Sequence, residues 1–468
     1  MKSRSETEAL LPPLWGTSLR ADNRRVVEAS APLLVVLDDD PTGTQTVYGI
    51  PVLTEWSESA LTAELDRAST GFYILTNARS LPEAEAIALN QEVARNLRSA
   101  AEMVGRPFTL VSRSDSTLRG HFPAETDALG EALGPFDATF VIPFFEAGGR
   151  LTVDDTHYVA DGDQLIPASE TPFAQDKVFG YRNANLRLWI EEKTQGRIAA
   201  DDVVSIPLET LRAQGPDGVE ALLNSIPHGS YVIVNAIRSE DIDVFVAGVL
   251  RPSLDAKRFL FRTGADFVSA RMGLEKRPTL TRSTLIESNH PTGGLMVVGS
   301  YVPMTTEQLE RLFSDHPGLN RVEVSVDRLL DASRYDACVA DLTARVDASL
   351  AAGEDVVLYT ERELRYGASE SENLGIGARV SQGLVEVVRG LTARPRFLIA
   401  KGGVTSSDVA TKALEASRAE VMGAILPGVP VWRMGAESRM PGLPYIVFPG
   451  NVGGSDGLSR AYEILKRD

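Results

Sequence analysis

The segment Ser112-Arg-Ser-Asp-Ser-Thr-Leu-Arg-Gly-His121 crowds a carboxylate, several hydroxyls and two guanidiniums into one short span. Arg113 and Arg119 carry planar forks of donors that suit two-point contact with a carboxylate or a phosphate. Structural ion pairing accounts readily for Asp115 and one arginine, and less readily for the whole density. A second group, Asp38-Asp39-Asp40-Pro-Thr-Gly43, sets three carboxylates side by side. Like charges this close repel, so the run stays in water or meets a cation. It reads either as a cap and turn with Pro41 at the first helical position, or as an acceptor for a substrate hydroxyl or a magnesium ion. Thr76-Asn-Ala-Arg79 supplies one more arginine. Together these residues suit a small, polar, acidic molecule.

A different chemistry belongs to Phe397-Leu-Ile-Ala-Lys-Gly-Gly-Val-Thr-Ser-Ser-Asp408. It reads as a buried strand, a glycine turn and the start of a helix near Ser407. Glycines let backbone approach a ligand closely, and the free N–H groups of a helix start attract anions. Thr405, Ser406 and Ser407 add hydroxyls, and Lys401 can add a charge. Phosphate suits such a turn best, although a plain strand-to-helix connection has the same composition. Val297-Val-Gly-Ser300 and Val447-Phe-Pro-Gly-Asn-Val-Gly-Gly454 are two further small-residue strand ends. The chain has no G-x-x-x-x-G-K-[ST], and Gly375-Ile-Gly-Ala-Arg-Val380 lacks the third glycine of a dinucleotide fingerprint. There is no G-x-S-x-G elbow either.

The elements that must position these groups are short apolar runs alternating with helical patterns. Leu33–Leu37, Phe72–Leu75, Phe108–Val111, Ala138–Ile142, Tyr231–Val234 and Phe259–Phe261 read as buried strands. Ser57–Ala68 and Pro82–Val104 read as helices. A second series runs through Gly294–Val298, Val322–Val326, Asp355–Tyr359, Phe397–Ile399 and Tyr445–Phe448. This alternation predicts α/β architecture, two three-layer domains with mainly parallel sheets; an active site in the cleft between them is what polar segments on both domains and the resemblance given below imply. In such sheets ligands bind beyond the carboxyl ends of strands, where every polar segment named above lies. A composition shift between Ala270 and Thr292 puts the boundary near residue 288, giving domains 1–287 and 288–468. Ser169–Arg197 reads as an insertion or lid.

At 468 residues, with 43% hydrophobic and 24% charged residues, the chain has the composition of a multi-domain globular protein. Its formal net charge of −17 disfavours general binding to nucleic acid or an anionic membrane. The single cysteine, Cys338, fits a reducing compartment, and the absence of a signal-like or membrane-length segment points to the cytoplasm. Five scattered histidines lack zinc-ligand spacing. A homo-oligomer is compatible with all of this.

The set of motifs resembles the four-carbon acid sugar kinase family, formerly a family of unknown function. Its Ala-Asp-Asp-Leu-Thr-Gly-Ala type segment is similar to Asp38–Thr44, and its Lys-x-Asp-Ser-Thr-Leu-Arg-Gly-Asn segment to Arg113–His121. Its Pro-Ala-Phe-Pro-x-x-Gly-Arg segment is similar to Ile142–Arg150. Gly299-Ser300, Gly402-Gly-Val-Thr405 and Gly450-Asn-Val-Gly453 match its later turns, so the likeness covers nearly the whole chain in order. Three departures stand out: Asp38-Asp39-Asp40-Pro for Ala-Asp-Asp-Leu, Arg113 for lysine, and Val404 for an acidic residue.

The resemblance implies an N-terminal sugar-acid-binding domain and a C-terminal ATP-binding domain. The implied reaction uses ATP and Mg²⁺ to phosphorylate the terminal hydroxyl of threonate, erythronate or a 3-oxo derivative. Asp40 or Asp39 then faces the substrate and accepts the hydroxyl proton, with Asp115 as the competing base. Arg79, Arg113, Ser116 and Thr117 hold the acid and its hydroxyls. Ser300, Gly402, Gly403, Val404, Thr405 and Gly450 line the nucleotide. The rival readings are a sugar-acid dehydrogenase or aldolase, and a non-catalytic sugar-acid-binding protein.

Overall fold

The computed structural model describes residues 2–286, 290–362, 365 and 370–466. They form two compact units, the first of residues 1–47 and 55–276, the second of residues 48–54 and 277–468. The boundary expected near residue 288 lies outside the described residues. The division falls after Lys276 because the chain just beyond it already belongs to the second core. The Leu280 N–H donates to the Ala424 carbonyl at 2.9 Å, and Leu285 and Ile286 pack with Met296 and Ile425.

In the first unit seven parallel strands lie in the order Val204–Ile206, Ser230–Val234, Ala138–Ile142, Phe259–Thr263, Phe108–Arg113, Leu33–Asp38, Gly71–Leu75. Leu33–Asp38 and Gly71–Leu75 are buried along their whole length, as strands covered on both faces must be. Crossover helices such as Glu58–Arg67 and Glu83–Val104 connect them. The second of these buries Ala86, Asn90, Val93, Ala94 and Leu97, one stripe at helical spacing. Glu83 and Glu85 sit favourably in its first turn, and left-handed Gly105 ends it.

A small antiparallel sheet of Lys2–Ser3, Gln164–Pro167, Thr156–Asp161 and Arg150–Val153 was not expected from the alternation of runs. The segment read as an insertion or lid forms short turns over Ala168–Gln175, then a helix, Leu186–Lys193, capped by the Asn185 side chain.

The second unit orders five parallel strands as Asn320–Val324, Val356–Thr360, Leu295–Val298, Leu398–Lys401, Pro444–Phe448. The strand expected to reach Val326 stops at Val324, and Val326 opens a helix instead. An antiparallel hairpin, Arg418–Leu426 with Val429–Met434, continues this sheet. Its outer strand pairs with Ile50–Leu53, a piece of the N-terminal chain. The alternating pattern held no signal for that exchange.

Because Ile50–Leu53 caps the backbone of Arg418–Val421, a fragment of residues 277–468 leaves those ladder groups unpaired. Unpaired strand backbone recruits other chains. The fragment alone is expected to elute as aggregates in size-exclusion chromatography, and the same fragment with residues 46–56 fused to it as a discrete species. Equal behaviour of the two would mean that the strand contributes little to this sheet.

Candidate functional site

Strand register sets the geometry in the first unit. Asp38 lies beside Arg113 on one neighbouring strand and beside Leu75 on the other. Arg113 Nη1 donates to Asp38 Oδ1 at 3.1 Å, with both side chains buried. The Thr76 N–H and hydroxyl each donate to the Asp38 carbonyl at 2.9 Å, and the Asp39 N–H donates to the Arg113 carbonyl at 3.3 Å. Three strand ends are thereby tied into one edge. Asp38 and Arg113 are two of the departures from the family pattern, and they pair with each other.

The other carboxylates take different partners. Asp39 Oδ2 accepts from the Ser114 hydroxyl at 2.5 Å, while its Oδ1 has no hydrogen-bond partner and lies 3.9 Å from Arg79 Nη2. Asp40 forms an ion pair with Arg79 and accepts from the Thr42 hydroxyl and, at 2.8 Å, the Thr42 N–H. Asp115 accepts from Arg119 Nε at 2.6 Å and from the Thr117 hydroxyl. The Ser116 carbonyl meets His157 Nε2 at 2.8 Å. A carbonyl only accepts, so that nitrogen carries the proton. Burial pushes the imidazole down to about 4, so it stays neutral.

Electrostatics separate the aspartates. Burial raises the Asp38 carboxyl, and its aspartate neighbours add to this; against the pull of Arg113 it still reaches about 7. Burial acts on Asp40 in the same direction, but Arg79 and the Thr42 donors outweigh it and hold the group below the usual range. Asp115 falls to about 2, because Arg79, Arg119 and Thr117 together overcome the effect of burial. Arg79 thus acts on Asp39, Asp40 and Asp115 at once, and its own protonated form is stabilised further.

Glycine is required at two of these turns. A Cβ on Gly43 would lie 1.8 Å from Asp38 Oδ2. Gly120, at φ +128°, would place one 2.5 Å from the Ser114 hydroxyl.

In the second unit Ser300, Gly402, Thr405 and Gly450 converge at the carboxyl ends of Leu295–Val298, Leu398–Lys401 and Pro444–Phe448. Gly402, at φ +114°, comes so close to Ser300 that a Cβ would lie 2.9 Å from the serine Cβ. The Gly402 N–H donates to the Phe448 carbonyl at 2.8 Å. A Cβ on Gly450 would lie 3.4 Å from the Ser300 hydroxyl. The helix opens at Gly403, four residues before the expected start, and Val404 on its first turn is 54% exposed.

Lys401 does not offer its charge to this surface. It is fully buried, donating to the carbonyls of Pro449 and Gly450 at 2.5 and 3.0 Å over the Phe448 ring, and burial lowers its ammonium to about 7. Two residues not assigned to the site from the sequence also lie nearby: Thr305, whose hydroxyl donates to Ser300 Oγ at 3.1 Å, and Arg362, whose Nη2 donates to Thr306 at 2.9 Å. The serine-and-threonine helix start after Gly299 was the available signal for the first. Nothing in the sequence marked the second.

Among the described residues no group of three His, Cys, Asp or Glu side chains is placed to hold a metal by itself. Asp38 Oδ2 and Asp39 Oδ1 are nevertheless buried carboxylate oxygens without a hydrogen-bond partner. No helix among the described residues is long and apolar enough to cross a membrane.

Removing one member of a buried ion pair leaves the other uncompensated, at a cost of about 3–5 kcal/mol. Asp38→Ala is therefore expected to lose about 3 kcal/mol in urea denaturation, and Asp38→Ala with Arg113→Met, which removes both charges, clearly less. A double variant as unstable as the sum of the two singles would show that the residues do not act as a pair.

A sugar-binding N-terminal domain model matches residues 34–271, and a nucleotide-binding C-terminal domain model matches residues 295–458. The chain is 24% identical to a D-erythronate kinase of Heliobacterium modesticaldum over 92% of its own length and 97% of the relative's. It is 25% identical to a 3-oxo-tetronate kinase of Brucella melitensis, covering 85% of this chain and 88% of that one. A D-threonate kinase of Bordetella bronchiseptica matches over a shorter stretch, 31% identical across 31% of this chain and 36% of the relative. Among solved structures, a Haemophilus influenzae protein superposes with a TM-score of 0.62 at 20% identity, over 92% of this chain and all of that one. A Salmonella typhimurium protein described as a putative tRNA synthase gives 0.64 at 19%, over 93% and 100%. At such identities these two establish the fold alone. With one family model spanning half of the chain and a second most of the remainder, the chain belongs to the four-carbon acid sugar kinase family of phosphotransferases.

Proposed function

We propose that this enzyme transfers the γ-phosphoryl group of ATP to the terminal hydroxyl of a four-carbon sugar acid of the threonate, erythronate or 3-oxo-tetronate type. The observation that carries the reading is the meeting of Asp39, Asp40 and Asp115 around one guanidinium, Arg79. Such an edge offers acceptors to several hydroxyls, its aspartates held in place by the arginines they pair with. Arg79, Arg113, Ser116 and Thr117 belong to this acid-binding edge. Ser300, Gly402, Gly403, Val404, Thr405 and Gly450 form the nucleotide side, where close backbone approach suits phosphate.

Phosphoryl transfer depends on positioning and charge stabilisation more than on a strong base. That suits Asp40 and Asp115, which are both held ionised and weakly basic by their partners. Asp40 takes the hydroxyl proton in this reading, and Asp115 orients the substrate. Asp39, with a carboxylate oxygen lacking a hydrogen bond, is a residue that would hold Mg²⁺, and the ion would supply positive charge to offset that of phosphate.

A coupled assay should detect ADP release only when ATP, Mg²⁺ and a four-carbon acid are all present. Background ADP across threonates, erythronates and 3-oxo-tetronates, with turnover supported by NAD⁺ instead, would end the kinase reading.

Asp40→Asn keeps shape and removes basicity, so single-turnover rates should fall by roughly 10²–10⁴-fold with ATP affinity little changed. Asp115→Asn should act mainly through substrate affinity. A near-normal Asp40→Asn enzyme beside an inactive Asp115→Asn enzyme would exchange the two roles.

Gly402→Ala places a Cβ against Ser300 at a backbone angle that side chains rarely adopt. Calorimetry should show weakened ATP binding with sugar-acid binding intact. Unchanged ATP affinity in the folded variant would move the nucleotide site elsewhere.

A further inference from the structure

Arg79, Arg113 and Arg119, the arginines that the sequence brings forward, are already committed. They pair with Asp40, Asp38 and Asp115 respectively. A guanidinium locked to a carboxylate of its own chain is poorly placed to receive the carboxylate of a ligand. Arg150 differs from all three. Its side chain has no ion-pair or hydrogen-bond partner among the described residues, and its Nε is buried without an acceptor. A buried donor left unmade costs free energy that a ligand can return.

Its position is built and not accidental. The Phe145 and Arg150 backbones exchange hydrogen bonds of 3.0 and 2.9 Å, and left-handed Gly149 turns the chain between them. Gly148 leaves room for the side chain, since a Cβ there would lie 3.2 Å from Arg150 Nη1 and strike the Phe145 ring. The Phe173 ring holds both neighbouring cations, with the Arg119 guanidinium 5.1 Å and that of Arg150 5.6 Å from its centre. Arg119 pairs with Asp115 at 2.6 Å and with Asp176 at 3.7 Å, whereas Arg150 makes no ion-pair contact with either and feels Asp115 only at longer range. Burial, with some help from the neighbouring Arg119 charge, lowers the Arg150 guanidinium, although the Asp115 carboxylate acts on it in the opposite direction.

We propose that Arg150 is the receptor for the substrate carboxylate and sets the preference for sugar acids over neutral polyols. This rests on the kinase reading above. The fork of Arg150 takes the two carboxylate oxygens, with the Phe173 ring steering its plane. The paired arginines hold the aspartates that accept the substrate hydroxyls.

The test compares wild type, Arg150→Met and Arg150→Lys on a four-carbon acid that wild type turns over and on the matching neutral tetritol, with ATP as donor. Arg150→Met should raise KM for the acid by about 10–100-fold, the loss expected for a charge-assisted two-point contact. KM for ATP and for the tetritol should stay unchanged. Arg150→Lys should fall between, since it keeps charge and loses the fork. A purely structural role would instead lower thermal stability and weaken acid and tetritol alike, and that result overturns the assignment. So does an unchanged KM for the acid in Arg150→Met. Should Arg150→Met fail to fold, Arg150→Lys decides: a KM for the acid equal to wild type overturns the proposal. Wild type that releases no ADP with any acid overturns the kinase reading together with this one, whereas active wild type with an unmoved variant overturns this one alone.

Discussion

Three adjacent carboxylates at the end of a buried strand are tolerable only if each finds its own partner. Two like charges about 4 Å apart repel by roughly 4 kcal/mol at the effective dielectric of a protein edge. Asp38, Asp39 and Asp40 offset this in part by drawing on three separate sources, Arg113, Ser114 and Arg79, with the remainder visible in the raised Asp38 carboxyl. Those partners come from two other strand ends, so strand order and register are part of the electrostatic solution. A slip of one residue between Leu33–Asp38 and Phe108–Arg113 would part Asp38 from Arg113 and bury both charges alone.

The same constraint explains why the site was partly legible beforehand. Residue types at strand ends are visible in a sequence, so Asp38–Asp40, Arg79 and the Asp115 segment could be picked out and placed on one sheet edge. Their pairing is not visible, because it depends on which strands are neighbours. Arg79 and Arg113 read as ligand-binding forks, yet each carries an aspartate of the chain itself. Lys401 shows the limit in another way. Beside glycines it reads as a phosphate-facing charge, but its strand position turns it inward against two carbonyls.

The fold divides along similar lines. Parallel strands announce themselves as continuous apolar runs, and those of both units stood out. The hairpin Arg418–Leu426 with Val429–Met434 did not, since Glu420 and Arg433 interrupt its apolar pattern. The return of Ile50–Leu53 to the second unit is a long-range pairing between short segments, and local propensity carries no information about it. The small antiparallel sheet is of the same kind, and it places Arg150 at the start of one of its strands.

Chemically, the strand-end edge of the first unit holds and balances charge. Asp40 and Asp115, held below the usual carboxylate range by arginine and hydroxyl partners, suit a reaction whose difficulty lies in alignment and charge. The most direct test is the chemical identity of the product. With ATP, Mg²⁺ and the preferred four-carbon acid, phosphorus NMR should show one new phosphate monoester, its signal split by the two protons of the terminal carbon. Splitting by a single proton, or inorganic phosphate as the sole product, would contradict the account.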